Sequence, residues 1–278
     1  MQNKDKALVL LRGGGDLATG VALRLHRSGI KLVITELAQP LAVRRTVSFA
    51  EAIYEGHQTV EGVTARRVQA EGLQGWNRAD EIPIVVDPDA NVLTLIDFLV
   101  VVDARLMKST PSALPVDVPL HIGLGPGFHA DRDCHAVVET RRSHTLGRVY
   151  WTGSAQADSG EPEGDRRRVL RAPANGILTG HAQIGDHLEE GQLIAEVKNE
   201  TEVSKIESPF KGVLRGLIHD GVEVRQGLKI GDVDPRDDPS ACYLVSDKAL
   251  AIGGGVLESL LSRKEIRERL WTPTAPIG

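Results

Sequence analysis

Two stretches of this chain repeat one another at a constant offset of 36 residues, without a gap. Arg171 to Val197 reads RAPANGILTGHAQIGDHLEEGQLIAEV, and Glu207 to Val233 reads ESPFKGVLRGLIHDGVEVRQGLKIGDV. They match at Pro173/Pro209, Gly176/Gly212, Leu178/Leu214, Gly180/Gly216, Gly185/Gly221, Gly191/Gly227, Ile194/Ile230 and Val197/Val233. Most matches are Gly or Pro, the residues that set backbone geometry, with short apolar runs of strand length between them. Each copy therefore predicts one set of strands and turns, and two copies together bury one core.

That pattern resembles the biotinyl/lipoyl domain, a flattened barrel of two interlocked halves. In that family a lysine at the hairpin between the halves carries the cofactor. The matching position here is Thr201, between Glu200 and Glu202. Threonine cannot form the amide, so the resemblance implies a barrel-sandwich domain without biotin or lipoate attachment.

A length of 278 residues predicts about two domains. The net charge of −5 argues against a general nucleic-acid binder. No apolar run approaches the ~20 residues needed to span a bilayer, so no membrane partner is expected. The start, MQNKDKALVLLRGGGD, has too short an apolar core for a signal peptide. Cys134 and Cys242 make neither a disulfide framework nor a zinc spacing. The expected compartment is the cytoplasm.

Residues 1–165 read as a Rossmann-like α/β domain. Ala7–Leu11 and Lys31–Thr35 are apolar strands around a helical stripe of Leu17, Val21 and Leu25. Leu41–Tyr54 reads as a helix, and Ile84–Asp87 and Phe98–Asp103 as strands that each close on an Asp. Gly153–Arg168 is polar and rich in Gly and charge, which predicts a linker. Residues 168–236 form the barrel-sandwich domain. Residues 240–270 predict a C-terminal helical segment that returns to the first domain, with Gly253, Gly254 and Gly255 inside it. Three successive glycines in a helix call for close packing or a ligand near the backbone.

The strongest site signal is Gly13-x-Gly15-x-x-Ala18, between a buried strand and a helix. The first glycine permits a tight turn, the second close approach of a phosphate, and Ala18 close helix packing. Glu36 ends the next strand, where a ribose-binding carboxylate is expected. Gly13, Gly14, Gly15, Asp16 and Glu36 are thus candidate ligands of a dinucleotide, either NAD(P) or a molybdopterin dinucleotide. Arg44 and Arg45 follow closely; if a nucleotide binds, either would contact its phosphate, and a solvated helix face is the other reading. The alternative is a glycine turn that serves packing alone.

The second candidate is His121–His144. Gly125 and Gly127 bring a loop close to something, and Cys134 stands beside His135. Cys134 and His135 are candidate catalytic residues if a neighbouring cation lowers the thiol pKa. A buried thiol packing as a small hydrophobe is the other reading. No CxxC, HxH or HExxH spacing points to a metal.

Taken together, RGGGDLATGVALRLHRSG, PLAVRRTVSFAEAIYEG, VVDARLMK, IGLGPGF, KIGDVDPR and SDKALAIGGGVLES resemble the selenium-dependent molybdenum hydroxylase system proteins. The first part is also distantly similar to xanthine dehydrogenase accessory factors. The resemblance implies an accessory protein in molybdenum hydroxylase maturation, whose partners are that hydroxylase or its cofactor-maturation proteins. A nicotinamide-dependent oxidoreductase and a docking scaffold are the rival expectations.

Overall fold

The computed structural model describes residues 8–78, 80–157 and 165–270. Part of the expected linker, residues 158–164, therefore lies outside the described residues. The first region carries β1 (Leu8–Arg12), α1 (Asp16–Arg27), β2 (Lys31–Glu36), α2 (Ala52–Glu55), β3 (His57–Val60) and β4 (Val63–Arg67). It continues with β5 (Glu81–Val86), β6 (Val100–Asp103), β7 (Leu120–Leu124), β8 (His129–Ala130), β9 (Ala136–Val138), β10 (Val149–Tyr150) and β11 (Gly153–Ser154).

Nine of these strands form one mixed sheet in the order β10-β9-β7-β6-β1-β2-β5-β4-β3. The run from β9 to β4 is parallel, and β10 and β3 pair antiparallel at the two edges. β1 is buried among β2 and β6, and its apolar LVLLR run suits a strand covered on both faces. α1 follows at once because Leu17, Val21 and Leu25 recur at helical spacing and are buried.

The expectation of a Rossmann-like domain plus a biotinyl/lipoyl barrel is corrected. In a doubly wound fold, helices connect successive parallel strands and cover both faces. Here the segment after β5 is a single 3-10 turn, Asn91–Thr94, and residues 111–119 between β6 and β7 form an irregular, proline-containing loop. The expected helix over Leu41–Tyr54 is also corrected. The chain makes two 3-10 turns, Arg45–Val47 and Phe49–Glu51, and then the one-turn α2. Ser48 between the turns is extended (φ −126°, ψ 119°), so no helix runs through it.

The repeat folds as β12 (Val169–Arg171), β13 (Gly176–Gly180), β14 (His187–Leu188), β15 (Leu193–Lys198), β16 (Val203–Glu207), β17 (Gly212–Leu217), β18 (Glu223–Val224) and β19 (Lys229–Asp234). These strands make two separate four-stranded antiparallel sheets, β12-β19-β17-β14 and β16-β15-β13-β18, in place of the expected flattened biotinyl/lipoyl barrel. Each sheet takes strands from both copies. β14 of the first pairs with β17 of the second, and β18 of the second pairs with β13 of the first. The apolar matches Leu178/Leu214, Ile194/Ile230 and Val197/Val233 are all buried in the core between the sheets. The matched glycines of the turns have positive φ (Gly185 102°, Gly221 76°, Gly191 79°, Gly227 82°), which explains why Gly recurs there.

After the second copy, residues 239–242 make a 3-10 turn, followed by α3 (Asp247–Ser262) and α4 (Lys264–Leu270). α3 packs on α1 at close range. A Cβ at Gly20 would sit 2.6 Å from Ala249 backbone atoms, and one at Gly253 would sit 2.8 Å from the Gly20 carbonyl. No helix among the described residues is long and apolar enough to cross a membrane.

Candidate functional site

β1 is the point where the strand order reverses, since β2 and β6 lie on its two sides. In open parallel sheets, ligands bind outside the carboxyl ends of the strands at such a point. A cavity of about 690 Å³ opens here. Its floor is Arg12 and Gly13 at the end of β1, Thr35 and Glu36 at the end of β2, and Asp87 and Ala104 just beyond β5 and β6. Arg215, Lys229 and Asp232, on β17 and β19, supply the facing wall.

The glycine turn is held by backbone and side-chain bonds alike. Gly13, at φ 95°, donates to Thr35 O at 2.8 Å. Gly14 donates to Glu36 Oε2 at 2.6 Å, and its carbonyl accepts from Ala50 N at 2.8 Å. A Cβ on Gly14 would lie 2.9 Å from Ala50 N, so this glycine serves close packing. Gly15 is different. It has φ −65° and ψ −178°, faces the cavity, and has nothing within 4 Å of a Cβ.

Glu36 also accepts the Leu37 amide at 2.7 Å. Burial pushes its pKa up, against the opposing pull of these two amides. Asp16 accepts the Leu17 amide at 2.9 Å and lies 3.7 Å from Arg44 Nη1. Arg44 donates to the carbonyls of Ala241 and Leu244 at 3.1 and 2.9 Å, and burial lowers its pKa. Arg45 turns the other way, to Leu217 O at 2.9 Å and Glu51 at 3.0 Å, and does not line the cavity. Its expected phosphate contact is corrected.

Two charged clusters that hold cavity-lining side chains were not singled out as site residues by sequence. Asp103 is fully buried and shared by Arg12 (3.3 Å) and Arg105 (2.6 Å). Asp232 is shared by Arg168, Arg215 and Lys229 at 3.1, 2.9 and 3.4 Å. Cations thus outnumber the carboxylates in both clusters. The Nε atoms of Arg12, Arg44 and Arg215 are buried without a hydrogen-bond partner. The one local sign was that two apolar strands close on an Asp, at Asp87 and Asp103. Asp87 has a structural task, accepting Val92 N at 2.8 Å and Asn91 Nδ2 at 3.0 Å.

The second candidate does not assemble. The Cys134 thiol donates to Ala136 O at 3.2 Å, and burial pushes its pKa up to about 11. His135 is exposed, and its Nδ1 accepts from His121 N at 2.9 Å. Neither bond joins the pair, and the thiol stays protonated at neutral pH, so the activated Cys134–His135 arrangement is corrected. Gly125, at φ 86°, would bring a Cβ to 3.0 Å from Thr140 Oγ1, and Gly127 would bring one to 2.9 Å from Met107 Cβ. Both glycines meet the protein's own chain.

No protein-family model matches this chain. The chain is 46% identical over 260 residues to a protein of Escherichia coli (strain K12) described as uncharacterized protein YqeB, covering 91% of this chain and 47% of that protein. It thus spans about half the length of this curated relative. Among solved structures, an aspartoacylase family protein from Mesorhizobium loti is 13% identical, with 85% of this chain and 88% of that chain covered and a TM-score of 0.28. A succinylglutamate desuccinylase/aspartoacylase from Rhodobacter sphaeroides is 13% identical, with coverage of 86% and 88% and a TM-score of 0.27. The product-bound ectoine utilization protein EutE (DoeB) from Ruegeria pomeroyi is also 13% identical, with coverage of 84% and 86% and a TM-score of 0.27.

The expectation of a selenium-dependent molybdenum hydroxylase maturation protein is corrected by these comparisons. The structural neighbours are desuccinylase and aspartoacylase proteins, not molybdenum hydroxylase accessory factors. At such identities and TM-scores the neighbours carry no argument about the activity of this chain.

Proposed function

We propose that the chain binds a small anionic molecule bearing hydroxyl groups in the cavity at the end of β1. The observation that carries this reading is the lining. Arg12, Arg44, Arg105, Arg215 and Lys229 converge on one opening of about 690 Å³. That volume lies within the range of roughly 300–1,000 Å³ usual for small-molecule sites. Guanidinium groups suit phosphate or carboxylate, to which they donate in pairs. The first turn of α1 adds the positive end of a helix dipole. Glu36 already accepts one amide on each oxygen, and each oxygen keeps a second lone pair for a hydroxyl. A dinucleotide, with phosphates toward Gly15 and a ribose toward Glu36, is one member of this class. The cytoplasm is the setting we propose, where Cys134 and Cys242 remain free thiols.

Gly15→Trp tests the reading, because Gly15 lines the cavity, its Cβ position has nothing within 4 Å, and its φ of −65° suits any residue. Isothermal titration with NAD⁺, NADP⁺ and inorganic pyrophosphate should show binding of at least one of them to the native chain. Gly15→Trp and Arg44→Ala should lose it while melting cooperatively. If none of the three binds at millimolar concentration, or if Gly15→Trp binds as the native chain does, the reading fails.

A further inference from the structure

A second constellation lies apart from the cavity lining, where α2 meets the turn between β17 and β18. Glu51, Glu55 and His219 each offer one ligand atom, and these atoms all lie within 4.8 Å of one another. Glu51 and Glu55 stand four residues apart across a helical turn, so their side chains share one face. His219 arrives from 164 residues further along the chain. Its Nε2 is 3.3 Å from Glu55 Oε1 and 3.9 Å from Glu51 Oε1.

The imidazole is fixed in two ways. Its Nδ1 lies 2.7 Å from the Asp220 carbonyl, and because a carbonyl only accepts, Nδ1 carries a proton. Nε2 is then the nitrogen left to bind, and it faces both carboxylates. The ring also stacks on Tyr54, with centroids 3.9 Å apart and planes 15° from parallel. A carbonyl accepting from one ring nitrogen and a fixed ring plane are what a metal-binding histidine needs. Ligand bonds of about 2.0–2.2 Å to zinc place tetrahedral ligand atoms roughly 3.4 Å apart, close to the Glu55–His219 separation.

We propose that Glu51, Glu55 and His219 form a binding site for a divalent transition-metal cation of the zinc type. One imidazole and two carboxylates form a borderline-to-hard donor set. Arg45 donates to Glu51 Oε1 at 3.0 Å, the oxygen that also faces His219, which steadies that carboxylate and leaves Oε1 a second lone pair for the ion. The side chain of Glu51 is 8% exposed, that of His219 23% and that of Glu55 60%, so the ion enters from solvent and closes the site by drawing in Glu55. The same ion would tie α2 to the turn between β17 and β18.

The test is calorimetric titration of the chelator-treated full chain with zinc chloride. We expect one tight equivalent in the native chain. Glu55→Gln and His219→Gln should each weaken it about tenfold or more, since loss of a group that only hydrogen-bonds a ligand already costs that much. His181→Gln removes a different surface imidazole, paired with Glu196 at 3.2 Å, and should leave affinity unchanged. If His219→Gln does not fold, Glu55→Gln decides the matter, because that carboxylate is exposed. The proposal is overturned if the native chain takes up no zinc, or if Glu55→Gln and a folded His219→Gln bind it as the native chain does.

Discussion

The carboxylate of Glu36, at the end of one parallel strand, closes on the amide of Gly14, at the exit of its neighbour, at 2.6 Å. This bond fixes the glycine turn that opens α1. Glu36→Ala leaves the Gly14 and Leu37 amides without their acceptor, which should cost about 1–3 kcal/mol. The cost should depend on pH with a definite sign. Burial raises the Glu36 pKa in the fold above its unfolded value. The native state then holds more protons than the unfolded one just above the ordinary carboxylate range, so Glu36's contribution falls as pH rises through its folded pKa. Urea melts of both proteins from pH 4 upward should show the gap narrowing; a gap that widens contradicts the assignment.

Asp103 carries two guanidinium groups, and both it and Arg12 are buried. Asp103→Asn leaves the buried Arg12 charge without its counterion. Breaking a buried pair in this way costs on the order of 3–5 kcal/mol. A urea midpoint unchanged by the substitution would show that the pair does not hold the floor of the cavity.

Two glycines on α1 and α3 should respond with opposite signs. Gly20→Ala gains helix propensity but drives a methyl to 2.6 Å from Ala249. Overpacking typically costs about 1–3 kcal/mol, more than the propensity gain of roughly 1 kcal/mol. Gly254→Ala meets open space and should stabilise by about 0.5–1 kcal/mol. Thermal melts of the two variants should shift in opposite directions, and a shared direction would refute the close crossing.

His121 is buried, and burial lowers its pKa to about 4. The unfolded imidazole titrates near 6.5, so the unfolded chain takes up protons first as the solution is acidified. Stability should fall between about pH 6.5 and pH 4, by up to roughly 3 kcal/mol from this group. His121→Gln should flatten that part of the curve. An unaltered slope would place its origin elsewhere.

What was legible in the chain was local. The step from β1 through Gly13–Gly15 into α1 and on to β2 could be read because its apolar periods and turn residues lie side by side in sequence. The opposite wall of the cavity could not, since Arg215 and Lys229 come from strands far down the chain. Cys134 misled for a related reason. Adjacency to His135 says nothing about direction, and the backbone turns one residue inward and the other outward. Arg45 misled similarly, since only the fold shows that Arg44 lines the cavity while Arg45 turns away to Leu217. The 3-10 turns around Ser48 replaced a predicted helix because the Gly14 carbonyl captures the Ala50 amide, a long-range bond that no helical period encodes.

The exchange of β14 and β18 between the two copies has an evolutionary consequence. Neither copy contains every strand that its own sheet requires, so one half folded alone would have to borrow from a second molecule of itself. A gene for that half would encode a twofold dimer, and tandem fusion would convert the dimer into the present single chain without moving a strand. The 36-residue offset is what such a fusion would leave behind.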